Sequence, residues 1–328
     1  MATIRNKFKL VSHIGNDHLM NQLESNMKIY LDWAMLNIGG FTNVERPQSG
    51  AYGGDFSVLR RVDDPYYTAG RVWESARKDW VWETGVDYTD ATGGGPYNPY
   101  PITTGSVLVN GSTSGGNFVA MNPLGRIIFD NPVGLTDTVS MTGYSYRDVQ
   151  VYRAQDADWW RQIQFQSFSP DRSDFNQVGS GAWSILGHHR IQLPAIVVEA
   201  VARGRTSPYE LGNESLIREQ DILFHILSEV RSSRNNLADF IISQADSSIW
   251  LFDTNEIAAS SAFPLTASGE IAAGALMYPD LVDIPQSGGY RWKKCRFTNA
   301  TVTELEGLHP NLYEGSVRIT TEVIMGTI

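Results

Sequence analysis

The chain of 328 residues contains one cysteine, Cys295. A single thiol excludes a disulfide within the chain and any Cys-rich zinc or iron–sulfur site. Charge is also scarce. Asp, Glu, Lys and Arg make up 19% of the residues, below the ~25% of an average soluble protein. Long apolar runs are missing. No stretch approaches the ~18 consecutive apolar residues of a membrane helix, and segments such as Leu193 to Val201 are strand-sized. Met1 to Lys7 lead into no apolar run of signal-peptide length. The expectation is a soluble protein made in the cytosol, with no membrane partner. Basic character is lacking too: 26 Lys and Arg against 36 Asp and Glu leave a net charge of −10. That balance argues against a dedicated nucleic-acid or anionic-membrane binder.

Motifs for chemistry are equally sparse. The six histidines, at 13, 18, 188, 189, 225 and 309, include no pair at a metal-binding spacing. His188 and His189 are adjacent, so on a strand they point to opposite faces. His225 reads as a satisfied interior or interface residue. Neither a zinc-protease motif nor an EF-hand loop is present. Gly93 to Gly95 are followed by Pro96-Tyr97 rather than the Lys-Ser/Thr of a phosphate loop. Gly179-Ser180-Gly181 lacks the spacing of a nucleophile elbow. Cys295 lies between Lys294 and Arg296, but alternation on a strand turns both cations away from it. The expectation is therefore no catalytic, cofactor-binding or metal-ligating residue, no cofactor, and no enzyme activity. One cluster holds more content: Asp79, Glu83 and Asp87 among Trp73, Trp80 and Trp82. Sugar sites place paired carboxylates beside aromatic platforms. As a strand, however, residues 79–83 put Asp79 and Trp82 on opposite faces and both Trp80 and Trp82 on one side, which is the pattern of a core or interface strip.

What the chain does have is aromatics: 9 Trp, 14 Tyr and 13 Phe. Abundant aromatics with little Lys and Glu is the composition of protein interfaces. Residues 16–38 predict a helix, capped by Asn16 or Asp17 and ended by Gly39-Gly40. Leu19, Leu23, Met27, Tyr30, Leu31, Ala34 and Ile38 form one apolar stripe, and Trp33, Met35 and Leu36 widen it. From 41 to 150 Gly and Pro punctuate short strand-like runs: 57–62, 79–83, 106–110, 126–130 and 149–153. Asn110-Gly111 reads as a hairpin turn, with Gly125 just before a strand. Residues 91–101 read as an exposed Gly/Pro arm. A short helix is expected at 156–166 and a polar loop at 167–187. Strands follow at 189–201 (broken by Pro194), 221–229, 248–253, 290–298 and 316–325, with a helix at 235–245. In the last strand Val317, Ile319, Thr321 and Val323 share one face. Together these predict an α+β fold: a mixed or antiparallel sheet core, a long N-terminal helix, a second helix packed on it, and a β-rich inserted region.

Several segments carry a resemblance. Ile14-Gly15-Asn16-Asp17-His18-Leu19-Met20-Asn21-Gln22-Leu23-Glu24-Ser25-Asn26, running on through Leu31-Asp32-Trp33 to Asn37-Ile38-Gly39-Gly40-Phe41, resembles the start of virion structural proteins of contractile-tailed bacteriophages. So does the pairing of Val107 to Gly111 with Gly125 to Asp130. Arg190 to Glu199, Asp221 to Ile226 and the helix Asn236 to Ile241 are similar to the strand–strand–helix core of neck (head-to-tail connector) and tail-terminator proteins. The resemblance implies a core made of 1–50 and 186–328, with 51–185 as a β-rich insertion. It implies a homo-oligomeric ring at the head–tail junction, touching a portal-side connector and the tail tube, sheath or terminator, with DNA passing through without specific binding. Such a protein is assembled in the host cytoplasm and ends up in the virion. The alternative is a carbohydrate-binding, or a baseplate or tail-tip, virion protein using the Trp-rich stretch 73–88.

Overall fold

The computed structural model describes residues 15–44, 57–86, 88, 98–166, 175–179, 182–185, 189–209, 216–259, 265–266, 277–282, 289–309 and 311–325. His13, Asp87, residues 91–97 of the Gly/Pro arm, Ser180, Gly181 and His188 lie outside them. The fold is α+β with antiparallel sheets. The chain forms two compact units, one made of 1–32, 151–259 and 278–328, the other of 33–150 and 260–277.

Helix α1 spans Gly15–Asn37. Gly39, at φ +83°, takes the left-handed position that ends it, and its N–H bonds to Leu36 O. Ile38 therefore falls past the last turn and is 55% exposed, so it does not belong to the buried stripe.

The second unit is a set of short strands. They are β1 (Phe41–Val44), β2 (Arg60–Val62), β3 (Val72–Glu74), β4 (Val107–Val109), β5 (Ser112–Thr113), β6 (Phe118–Met121), β7 (Arg126–Phe129), β8 (Val139–Met141) and β9 (Tyr144–Arg147). They pair as β1-β9, β2-β3-β7-β6 and β5-β4-β8. Asn110 and Gly111 both have positive φ, the signature of a two-residue primed turn, between Val109 and Ser112. Gly125, at φ +63°, precedes β7, and a Cβ there would sit 2.7 Å from Arg77 O. Trp73, Trp80, Ile127, Phe129, Met141 and Tyr144 form much of the core. The expected strand at 79–83 does not form. Asp79 has φ +53°, which breaks the alternation, and Trp80 makes only an isolated bridge to Tyr146.

The first unit is built on one sheet of long strands, in the order β10-β14-β15-β18-β17-β16. Its members are β10 (Gln150–Arg153), β14 (Ala195–Pro208), β15 (Leu216–Ser228), β16 (Ser248–Phe252), β17 (Arg291–His309) and β18 (Leu312–Met325). The sheet curls into a half-barrel. Register sets its two faces. Ile222, Phe224, Val317 and Ile319 line one, and helix α3 (Arg231–Ile242) packs on strands β15, β17 and β18. Ala195, Val197 and Leu227 line the other, under Trp159, Trp160 and Ile163 of helix α2 (Asp158–Gln166). The expected polar loop at 167–187 is corrected in part. It contains β11 (Phe175–Gly179) and β12 (Ala182–Ile185), which pair with each other, and β12 pairs in turn with β13 (His189–Gln192). Trp183 of β12 is fully buried against α2. Short helices α4 (Thr254–Ala259) and α5 (Tyr278–Val282) complete the unit.

Candidate functional site

The polar chemistry of the first unit gathers on α1 and on the α2 face of the sheet. Gln22 to Met27 are buried all round the helix. An amphipathic helix would expose one side. Here that side meets the sheet edges instead. Asn26, fully buried, accepts from Phe252 N–H (2.9 Å) and donates to Phe252 O (3.0 Å). Its amide thus supplies edge strand β16 with the two bonds a neighbouring strand would give. Gln22 accepts from Thr254 N–H and donates to Asp253. Toward the opposite edge, Ser25 accepts from Arg153 of β10 and Glu24 accepts from Ala200 N–H of β14. Burial pushes the Glu24 carboxyl above its ordinary range, against the Ala200 N–H and Arg153.

On the α2 face, His225 Nε2 lies 3.0 Å from Glu199 Oε2. An ionised carboxylate only accepts, so Nε2 carries the proton. Gln164 donates to the same oxygen at 3.3 Å, and the Trp160 ring lies 4.5 Å from the imidazole. The bond from His225 holds the Glu199 carboxyl below the usual carboxylate range. Glu314 is pushed up by burial, partly offset by His225. Ser316 stands opposite His225 on β18, and among the described residues the buried Nδ1 has no hydrogen-bond partner. Through Gln164 and Trp160 the dyad fastens α2 to the sheet. His18 and His309 likewise pack on indoles, Trp292 at 5.0 Å and Trp183 at 4.9 Å. Among the described residues no three His, Cys, Asp or Glu side chains stand together as a metal site.

In the second unit, Asp79 and Glu83 do converge, on Arg147 rather than on a cleft. Arg147 pairs with Glu83 and lies 3.5 Å from Asp79, and all three are buried or nearly so. Trp73 and Trp80 are 4% and 0% exposed, so neither indole presents a face to solvent. Cys295 is buried and its thiol is pushed up to about 12 by desolvation.

Sequence reasoning missed Gln22, Glu24, Ser25 and Asn26, because they fall outside the apolar stripe. One signal was available: three successive polar residues, Glu24 to Asn26, flanked by Leu23 and Met27 in a helix with little charge. No protein-family model matches the chain, and no curated protein is significantly similar to it.

Proposed function

We propose that this chain is a structural subunit of a tailed-bacteriophage virion, a neck or connector ring protein that joins head and tail and lets DNA pass. The observation that carries the reading is large apolar surface left exposed on well-anchored elements. In the second unit, Tyr66 is 91% exposed on a turn whose N–H bonds to the Asp64 carboxylate, and Leu135 is 59% exposed on a loop fastened to Gly70 through Val133. In the first unit, Trp250, Val302, Leu305 and Tyr313 stand out from paired strands. Rigid, solvent-facing aromatic and aliphatic anchors are what assembly contacts use. The segments that carry the resemblance fold as β14, β15 and α3 on one sheet, which supports the same class. The acidic total suits a conduit, since phosphates are repelled rather than gripped.

Light scattering and electron microscopy of the purified protein test this. The expected result is a closed ring, alone or on mixing with portal-side and tail-side components. A protein that stays monomeric in every mixture overturns the reading.

A further inference from the structure

Strand β17 runs from Arg291 to His309, but its neighbour β16 pairs with it only as far as Arg296. Phe297 closes that side: its N–H donates to Ser247 O, and its carbonyl accepts from Asp246 N–H. Beyond it the strand has β18 on one side and, among the described residues, no strand on the other. Two irregularities bound the open stretch, a bulge between Phe297 and Asn299 and a register shift between Leu305 and His309. Between them Asn299 to Leu305 pair residue by residue with Thr320 to Glu314. Thr301 to Leu305 are exposed throughout. Such an edge turns alternate N–H and C=O groups outward, and proteins guard it with Lys, Pro, bulges or a covering element. Here the stretch Asn299-Ala300-Thr301-Val302-Thr303-Glu304-Leu305 contains neither Lys nor Pro and has three β-branched residues in a row.

Length, charge and the rest of the sheet select a second copy of this same edge as its occupant. The stretch is centred on Val302, so a two-fold axis there matches its full length to itself. Antiparallel pairing about that axis sets Val302 against its own counterpart, Thr301 against Thr303, and Ala300 against Glu304. Each β-branched residue then faces another. Charge does not oppose the approach. Glu304, the one ionisable side chain of the stretch, is neutralised within its own copy by Arg234 at 2.8 Å and Arg231 at 3.8 Å. The sheet offers no other edge for a head-to-tail pairing. Its far strand β10 has four residues, with Gln150 and Val151 buried and Arg153 tied to Ser25 of α1. On β16, Asn26 already fills the outer side at Phe252.

We infer that residues 299–305 of β17 pair, antiparallel about Val302, with the same residues of a second copy, so that two sheets become one. This goes beyond the ring reading and does not rest on it. An isologous contact joins two copies whether or not another surface closes a ring. Val302, 45% exposed in the single chain, is covered by its counterpart. Leu305 lies on the other face of the strand from Val302, opposite Asn299 of the second copy.

The test uses surface variants of the full chain, each checked for native circular dichroism. Val302→Lys and Val302→Glu should each weaken self-association roughly tenfold or more by multi-angle light scattering, because like charges meet at the axis. Mixed, they should recover a dimer that neither gives alone, because the cation of one faces the carboxylate of the other. Val302→Cys gives a second reading. Opposed residues of an antiparallel pair have Cα atoms ~4.5–5.5 Å apart, within the ~4.4–6.8 Å span of a disulfide. Diamide should therefore link Val302→Cys to itself. Ala300→Cys should stay unlinked, since its counterpart lies roughly 13 Å along the strand at ~3.3 Å per residue. Self-association unchanged in Val302→Lys, no dimer in the mixture, or equal linking at 300 and 302 overturns the inference. Rings that form with Val302→Cys unlinked leave the ring reading standing and sink this one. Linked dimers in a protein that never closes into a ring do the reverse.

Discussion

Asn26→Ala should be among the most destabilising polar substitutions in the molecule. Asn26 is fully buried and makes both bonds to the Phe252 backbone. Removing its amide leaves a buried N–H and a buried C=O on an edge strand without partners. Each orphaned group costs ~1–3 kcal/mol, so the pair costs about 2–6 kcal/mol. Alanine's higher helix propensity returns about half a kcal/mol. For a unit of this size ~3 kcal/mol lowers Tm by roughly 6–12 °C. The measurement is thermal and urea unfolding of both proteins with a common m-value. Asn26→Asp gives a second reading. It keeps the acceptor, loses the donor and places a carboxylate where no water reaches. Burial raises such a carboxyl's pKa in the folded state, so this variant should be worst at neutral pH and recover as pH falls through that raised value. A loss under half a kcal/mol for Asn26→Ala would refute the claim that α1 acts as a strand partner for β16.

Three further outcomes follow from the same structure. Leu23→Ala should cost ~2–5 kcal/mol, because Leu23 is fully buried, while Ile38→Ala, beyond the helix end, should cost under about 0.5 kcal/mol in the same unfolding assay. Glu24→Gln keeps the acceptor for Ala200 N–H and removes a buried charge. Since burial raises the folded pKa of Glu24, the variant should be more stable than wild type at pH 7, with the difference closing as pH falls through that raised value; Glu199, held low by His225, behaves oppositely, and Glu199→Gln should lose stability at pH 7 but match wild type once pH falls below the depressed pKa. Cys295, with its thiol at about 12 and no exposure, should react with a thiol reagent only on unfolding; labelling of the native protein at pH 8 within minutes would contradict its burial.

Much of the element order was legible because it rests on local signals. The stripe Leu19, Leu23, Met27 and Leu31, the Asn110-Gly111 turn, Gly125 before β7, and the alternation Val317, Ile319, Thr321 and Val323 each express a backbone period or a φ preference that neighbours in sequence decide. The misses have a common cause. At 79–83 the β-forming Trp80-Val81-Trp82 was overridden by the left-handed Asp79, whose N–H bonds to the Pro123 carbonyl and whose own carbonyl and carboxylate meet Arg147. At 175–179 and 182–185 strands formed because β11 pairs with β12, β13 lies alongside β12, and Trp183 packs against α2.

The amino-acid sequence by itself determined the class of fold, the periodicity of its helix and long strands, the unreactive cysteine and the shortage of charge. Those are properties of composition and of residues within one turn or one hairpin of each other. Only the tertiary structure decided that Asn26 completes an edge strand 226 residues away, that three histidines rest on indoles, and that Asp79 and Glu83 serve Arg147. It also decided that Trp250 and Lys294 share an exposed face. Each of these depends on strand register and sheet curl, which bring together groups that no local pattern relates.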